Sequence, residues 1–167
     1  MLDAVKPAPR VVSLHAHDFE GMFRDLEMLA EATGVDPKPL IGRLRSRIAA
    51  VERTTRGAIR PRVFCLEWLE PIYCSGHWVP EMVELAGGRD DLGRRRRDSA
   101  KIEWELLAEW APEKLILMPC GFTMARTKRE LHIVTRRPEW CEIPAVQAGA
   151  TAYDVPNIAT DFGYTYK

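Results

Sequence analysis

The first third of the chain has apolar residues at helical spacing. One set recurs every three or four positions and comprises Phe19, Met22, Phe23, Leu26, Leu29 and Ala30. This set predicts an amphipathic helix that Asp18 caps and Gly34 ends. A second helix is predicted from Asp36-Pro37 to about Gly57, with an apolar face of Leu40, Ile41, Leu44, Ile48 and Val51. Before both helices, the β-branched run from Arg10 to Ala16 predicts a strand or an extended lead-in.

The pattern changes at Pro61, after which short apolar runs alternate with helical segments. The predicted strands are Arg62 to Leu66, Lys114 to Met118 and Ala150 to Tyr153. The predicted helices run from about Val79 to Gly87, from Ile102 to Trp110 and from Thr123 to about Thr135, and the predicted loops are Pro71 to Gly76 and Asp90 to Ser99. Strands that alternate with helices favour a parallel sheet with covering helices, so the predicted fold class is α/β.

The same pattern predicts where a ligand would bind. In open α/β sheets, ligands lie beyond the carboxyl ends of the strands. The segments in those places are 67–77, 120–122 and 154–157. This is a prediction of location and not of chemistry.

Composition adds limits to the class of protein. The 167 residues are 46% hydrophobic and 29% charged, which is enough apolar material for a folded core. Lys and Arg number 24 and Asp and Glu number 24, so the net charge is zero. Proteins that bind nucleic acids broadly carry a basic excess to neutralise phosphates, so no nucleic-acid partner is expected. No apolar run approaches the roughly 20 residues of a membrane-spanning helix.

The N-terminus and the cysteines bear on the compartment. Residues 1–10 contain two prolines and no continuous apolar segment, which a secretory signal requires. The expected location is therefore cytoplasmic, or periplasmic or cell-surface if the N-terminus is truncated. The four cysteines form no CxxC pair, which excludes zinc-ribbon and thioredoxin motifs and predicts free, mostly buried thiols; they are Cys65, Cys74, Cys120 and Cys141.

A first group of candidate site residues follows the strand at Arg62 to Leu66. It consists of Glu67, Trp68, His77 and Trp78. Two indoles, an imidazole and a carboxylate could stack on and hydrogen-bond a flat or bulky ligand. Alternatively, the tryptophans close this loop over the core.

A second group, Cys120 to Phe122, follows the strand at Lys114 to Met118 and precedes the helix that Thr123 begins. Backbone N–H groups at a helix start can receive a polar group of a ligand. The same position is expected to lower the pKa of Cys120 somewhat, which makes this thiol a candidate nucleophile with His77 or Asp154.

Metal and charge patterns leave alternatives open. A metal site can be outlined from Cys65, Cys74, His77 and Cys120, although their spacing matches no compact zinc template. His15 and His17 would share one face of a strand, and surface histidines are the expected reading. Arg94 to Arg97 could bind phosphate or an acidic partner, or could lie in a solvated loop.

Four strings of residues in combination resemble a known family. They are RVFCLEWLEPIYCSGHWVPEMVELAGG at 62–88, LILMPCGF at 115–122, VVSL at 11–14 and AEATG at 30–34. Over roughly residues 10–153 the chain resembles cobalamin-binding substrate-binding proteins of ABC importers. These belong to the helical-backbone class that also serves ferric siderophores.

The resemblance implies two α/β lobes joined by a long, stiff helix, with the ligand in the cleft between them. Residues 1–60 would contain the connector helix, from Asp36 to about Thr55, and residues 61–167 would form a Rossmann-like, parallel-sheet ligand-binding lobe. The cleft residues that the resemblance implies are Glu67, Trp68, His77, Trp78, Cys120, Gly121, Phe122 and Asp154. Aromatic rings would pack against the macrocycle and carboxylates would accept hydrogen bonds from its amides. His77 would be either a cobalt ligand or a wall contact.

The chain departs from the family at both ends. The family has a first lobe before the VVSL strand, and it continues after its last strand with a glycine-asparagine-aromatic loop where this chain has DVPNIATDFGYTYK. The expected protein is a truncated binding module, not an enzyme, with no intrinsic cofactor and with cobalamin or a similar corrinoid or iron chelate as ligand. Its expected partners are the membrane subunits of an ABC transporter, and a second copy could pair with it. The alternatives are a cysteine-dependent enzyme using Cys120 with His77 or Asp154, and a metal-binding protein.

Overall fold

A five-stranded sheet forms the centre of the computed structural model, which describes residues 6–7 and 9–152. The strands in chain order are β1 (Val63–Leu69), β2 (Ile72–Cys74), β3 (Gly76–His77), β4 (Arg94–Arg95), β5 (Ala100–Lys101), β6 (Lys114–Leu117) and β7 (Thr151–Ala152). The order across the sheet is β5-β2-β1-β6-β7, and β3 pairs separately with β4. β1, β6 and β7 are parallel, whereas β2 is antiparallel to both β1 and β5. The predicted α/β class with a parallel sheet is therefore confirmed. The structure also has an antiparallel edge, formed by β2 and β5, that was not predicted.

The helices cover the sheet and precede it. They are α1 (Phe19–Thr33), α2 (Lys38–Thr55), α3 (Val79–Leu85), α4 (Trp104–Trp110), α5 (Met124–Glu130), α6 (His132–Thr135) and α7 (Pro144–Gln147), with a 3-10 helix at Pro138–Glu142. The two long helices predicted from the sequence are confirmed. None of the described helices is long and apolar enough to span a bilayer.

Local capping chemistry explains the ends of α1. Asp18 Oδ1 accepts a hydrogen bond from the backbone N–H of Gly21 at 2.6 Å, which satisfies a donor that the first turn leaves free. At the other end Gly34 has φ 75°, a left-handed conformation, and donates its N–H to the Ala30 carbonyl at 2.8 Å. Both roles are those predicted from the sequence.

Four segments differ from the prediction, and one of them is the predicted loop at 90–99, which contains the two-residue strand β4. Residues 10–16 form no strand, because none of the described segments pairs with them, so the lead-in alternative holds. The predicted loop at 71–76 contains β2, since the β-branched and aromatic pair Ile72-Tyr73 returns along β1 directly after the turn at Glu70 and Pro71. The single helix predicted from Thr123 to about Thr135 is divided into α5 and α6 at Leu131.

The apolar residues of the central strands are buried on both faces of the sheet. On one face, Phe64, Leu66, Leu115 and Leu117 join a cluster under α4 and the C-terminal helices. On the other face, β1 contributes Val63 and Cys65, which pack with α3. Burial on both faces explains why these strands read as continuous apolar runs rather than alternating ones.

Candidate functional site

A bulge at the end of β1 turns two adjacent side chains toward one cavity. Neighbouring residues of a regular strand point to opposite faces. In the pairing with β2, Leu66 lies opposite Cys74 and Trp68 lies opposite Tyr73, so Glu67 is an extra residue on β1. Such an insertion re-aims side chains locally. As a result, Glu67 and Trp68 both line the cavity at the end of the strand.

This cavity has a volume of about 310 Å³ and lies where the parallel strands β1 and β6 end. Its wall is formed by Glu67, Trp68, Pro71, Tyr73, Ser99 and Cys120. Three of these lining residues, Pro71, Tyr73 and Ser99, were not singled out from the sequence. Tyr73 lies in β2 and Ser99 directly precedes β5, so both belong to the antiparallel edge of the sheet. The prediction of a loop at 71–76 did not include this edge.

Glu67 is held as a partly buried carboxyl group. Its Oε1 accepts a hydrogen bond from the Gly76 N–H at 3.3 Å, and its backbone carbonyl accepts one from the Cys120 N–H at 3.1 Å. Burial raises the pKa of Glu67, and hydrogen bonds from Ser99 and Gly76 offset that rise only in part. The cavity therefore contains an acceptor that is fixed in place and poorly solvated.

Trp68 supplies an accessible aromatic surface. Its side chain is 38% exposed, and its ring meets the Phe122 ring edge to face, with 5.3 Å between centroids. Phe122 is buried, and the guanidinium of Arg126 lies 3.6 Å from its ring centroid. Phe122 thus packs against one side of the Trp68 ring, and the exposed part of the indole lines the cavity.

The expectation of an activated Cys120 is wrong in direction. Partial burial and the nearby negative charge of Glu67 raise the pKa of Cys120, because both disfavour the thiolate. α5 begins four residues later, at Met124, and the Thr123 hydroxyl already accepts from the Arg126 N–H. Gly121 lies between Cys120 and the aromatic cluster with φ 75°, a left-handed conformation that favours glycine.

His77 and Trp78 lie together but outside the cavity lining. The rings of His77 and Trp78 are 5.7 Å apart, centroid to centroid, and burial lowers the pKa of His77. His77 has a φ of 52°, which is uncommon for a residue with a Cβ. Its backbone N–H donates to the Arg97 carbonyl at 2.6 Å, and its carbonyl accepts from Arg96. The predicted residue Asp154 lies outside the described residues.

The loop at 90–99 approaches β3 so closely that Gly76 has no room for a side chain. A Cβ at Gly76 would meet the backbone nitrogen of Ser99 and lie 2.6 Å from the Arg97 carbonyl oxygen. Asp90 anchors the start of the loop by accepting hydrogen bonds from the Ser75 hydroxyl and the Gly93 N–H, both at 2.8 Å. The close approach places Ser99 in the cavity wall.

The arginine run at 94–97 is tied into the fold rather than simply solvated. Arg95 Nη1 lies 2.6 Å from a carboxylate oxygen of Glu84 on α3. Arg96 Nε lies 2.8 Å from Asp18, the residue that caps α1. The loop therefore links the N-terminal segment to the sheet.

The cysteines do not form the metal site that was outlined from them. Cys65 and Cys74 are buried, whereas Cys120 and Cys141 are exposed, so the expectation of mostly buried thiols holds for two of the four. Burial raises the pKa of Cys65 well above its usual range. Within the described residues, the side chains that converge as potential ligands are those of His17, His77 and Asp98.

Solved structures share this fold. The chain aligns with a periplasmic binding protein from Veillonella parvula (TM-score 0.69, 22% identity, 81% of this chain and 49% of that one). It also aligns with S. aureus IsdE complexed with heme (TM-score 0.70, 18% identity, 80% and 54% covered). A third match is the periplasmic vitamin B12 binding protein BtuF of Vibrio cholerae (TM-score 0.57, 17% identity, 84% and 54% covered). The chain spans about half the length of these proteins.

The family of this chain is identified by a match of its sequence to a family profile. No curated protein sequence matches the chain. The profile of the family described as "Periplasmic binding protein" matches residues 3–156, which is most of the chain. The resemblance to substrate-binding proteins of ABC importers is confirmed, and the chain belongs to the periplasmic binding protein family.

Proposed function

We propose that this chain is a ligand-binding lobe that carries cobalamin, or a related corrinoid or iron chelate, for an ABC-type importer and performs no chemistry of its own. The observation that carries the proposal is the cavity at the ends of β1 and β6, where a carboxyl group and an accessible indole face the same space. Membership of the periplasmic binding protein family supports a carrier role. It also favours the periplasmic alternative over the cytoplasmic expectation for location.

The chemistry of the lining favours cobalamin over an anionic ligand. Among the described residues of the wall, one side chain is acidic and none is Lys or Arg. The raised pKa of Glu67 indicates that this cavity does not stabilise negative charge, which disfavours the propionates of heme and other anionic chelates. The side-chain amides of a corrinoid are neutral and can donate hydrogen bonds to Glu67, while the macrocycle packs on Trp68.

The size of the cavity sets the expected affinity. At about 310 Å³ it lies at the lower end of ligand pockets, which hold roughly 300–1,000 Å³. A corrinoid would extend beyond it and require a second wall. We therefore expect weak binding by this chain alone. If a second copy supplies that wall, the apparent affinity will rise with protein concentration.

The test is a titration of the purified chain with cobalamin, hemin and a ferric siderophore, followed by absorbance and calorimetry. We expect saturable cobalamin binding and weaker binding of the two other ligands. Trp68→Ala and Glu67→Ala should each weaken cobalamin binding by about tenfold, because each removes one aromatic or hydrogen-bonding contact. Leu106→Ala, at an exposed apolar residue of α4, is the matched control and should bind like the unmodified chain.

Two outcomes would contradict the proposal. One is the absence of cobalamin binding at high micromolar concentration. The other is tighter binding of hemin than of cobalamin, which would assign an anionic macrocycle to this lobe. Fractionation of producing cells decides separately between the cytoplasmic and the periplasmic location.

A further inference from the structure

Two histidines that are distant in the chain meet ring to ring. His17, in the lead-in before α1, and His77, at the end of β3, are 60 positions apart in the sequence. Their Nδ1 atoms are 3.2 Å apart, and their rings are nearly parallel, with an interplanar angle of 18°. At this distance, one Nδ1 must carry a proton and donate to the other when no third atom lies between them.

The fold holds the backbones of both histidines in place. His17 precedes Asp18, which caps α1 and forms an ion pair with Arg96 at 2.8 Å. His77 is fixed in its left-handed conformation because its N–H donates to the Arg97 carbonyl and its carbonyl accepts from the Arg96 N–H. A residue with a Cβ at positive φ is strained and keeps that conformation only where its surroundings enforce it, and such residues are concentrated at functional positions. The same loop thus fixes the two histidines relative to each other.

The distance between the two nitrogens suits a shared metal ion. Two nitrogens at roughly 2.0–2.1 Å from a tetrahedral metal are about 3.3 Å apart. A modest rotation of the rings of His17 and His77 would direct both lone pairs at one ion. Metal ions bind the neutral form of the imidazole ring.

Asp98 completes the set of donors. One potential ligand atom from each of His17, His77 and Asp98 lies within 4.8 Å of the others. Asp98 Oδ1 is 3.9 Å from His77 Nε2, the ring nitrogen that does not contact His17. The Asp98 side chain is 79% exposed, so its carboxylate can change rotamer and turn toward the Nδ1 side, where one ion could bind both histidines. Two imidazoles and one carboxylate suit divalent first-row transition metals, whereas Mg²⁺ and Ca²⁺ prefer oxygen ligands alone.

We propose that His17, His77 and Asp98 form a binding site for a divalent transition-metal ion such as Zn²⁺. The site joins the N-terminal lead-in to the loop at 90–99. None of its three residues lines the cavity proposed for the large ligand, so the site does not depend on that function. A metal ion there would tie the lead-in before α1 to the sheet.

The experiment is calorimetric titration of the tag-free chain with Zn²⁺, together with thermal unfolding with and without the ion. We expect one Zn²⁺ per chain and a rise in Tm, because the ion binds only the folded state. Ni²⁺ and Co²⁺ should bind at the same site, and Mg²⁺ should have no effect. His17→Gln and His77→Asn should each weaken Zn²⁺ binding by at least about tenfold. Asparagine is chosen at 77 because it tolerates positive φ.

Matched variants keep the test decisive. His132→Gln removes an exposed histidine of α6, whose ring contacts the Arg129 carbonyl, and should leave Zn²⁺ binding unchanged. Asp98→Asn changes an exposed side chain and should leave stability unaffected. Its Zn²⁺ affinity therefore tests the site even if a histidine variant loses stability. Failure of the unmodified chain to bind Zn²⁺, Ni²⁺ and Co²⁺ with one-to-one stoichiometry would overturn the proposal. Zn²⁺ affinity that survives both His17→Gln and His77→Asn would overturn it as well.

Discussion

Asp90 is a partly buried acid whose charge works against folding. Burial raises its pKa from 3.8 to about 6, although Ser75 and Gly93 donate hydrogen bonds to it. The folded state therefore binds the proton of Asp90 more tightly than the unfolded state does. Its contribution to stability is fully present below pH 3.8 and is lost as the pH rises through about 6.

Asp90→Asn should remove this pH dependence. Relative to the variant, we expect the unmodified chain to lose up to about 3 kcal/mol of unfolding free energy between pH 4 and pH 7. Urea unfolding at several pH values measures the difference. Glu109→Gln removes an exposed carboxyl group and is the control. Parallel pH profiles for Asp90→Asn and the unmodified chain would show that Asp90 does not carry the effect.

Residue scale also shows where the sequence misleads. The position of Cys120 before a helix predicted a lowered thiol pKa. The direction of the pKa shift instead depends on burial and on Glu67, which is 53 positions away in the sequence but close in the fold. The contact between His17 and His77 was invisible for the same reason. Side-chain chemistry depends on neighbours that only the fold brings together.

At the scale of elements, β3 and the loop at 90–99 pack backbone against backbone at Gly76. Gly76→Ala should therefore lower the unfolding free energy by roughly 1–3 kcal/mol, because backbone atoms must move to admit the Cβ. It should also weaken ligand binding, since Ser99 moves with the loop. Chemical denaturation and the cobalamin titration measure the two effects.

Gly42→Ala is the matched control for that substitution. Gly42 lies inside α2 with open space around it, so alanine should raise the unfolding free energy by about 0.5–1 kcal/mol. If Gly76→Ala were as stable as the unmodified chain, the close packing of the loop at 90–99 on β3 would be wrong.

Asp18, at the N-terminus of α1, both caps the helix and forms an ion pair, and two substitutions can separate these contributions to stability. Asp18→Ala removes the acceptor for the Gly21 N–H and the ion pair with Arg96, so we expect a loss of about 1–2 kcal/mol in unfolding free energy. Asp18→Asn keeps a good cap and loses the ion pairs with Arg96 and Arg24, whose guanidinium groups are exposed, so its loss should stay below about 1 kcal/mol. Thermal and urea unfolding of both variants measure the split. Equal losses would mean that the charge, and not the cap, is what matters.

The elements themselves were predictable to different degrees. α1 follows from residues within its own span, since Asp18 and Gly34 define its ends chemically. The parallel strands followed from their apolar runs. β2 was missed because strand pairing depends on the partner, and a strand of three residues beside a proline is too short to show an alternating pattern. The bulge at Glu67 depends on register, which the sequence of one strand does not contain.

At the scale of the whole molecule, the predicted apolar face of α2 is only partly covered, with Ile41, Leu44 and Ile48 half-buried. α2 has no buried residue, and Leu40 and Val51 are 39% and 44% exposed. The assignment of residues 1–60 as a connector segment and 61–167 as a lobe stays a prediction. Apolar side chains gathered on one helix face are typical of a surface that binds protein.

We expect this face to cause self-association at high protein concentration. Leu40→Lys and Val51→Lys should reduce it without a large loss of stability, because both side chains are already exposed. Analytical ultracentrifugation over a concentration series measures the effect. Leu106→Lys, at an exposed leucine of α4, is the control and should associate like the unmodified chain. A chain that is monomeric at every concentration would contradict this expectation.

The central position of β1 has a consequence for how the chain folds as it is synthesised. β2 follows β1 after a tight turn, whereas the contact between Arg62 and Glu113, beside the pairing of β1 with β6, joins positions 51 apart. Translation at roughly 5–20 residues per second separates the two events by about 3–10 s. Until β6 emerges from the ribosome, one edge of β1 is an apolar strand without a partner. A chaperone that shields Val63–Leu69 during those seconds would act at the step where this sheet is most exposed to mispairing.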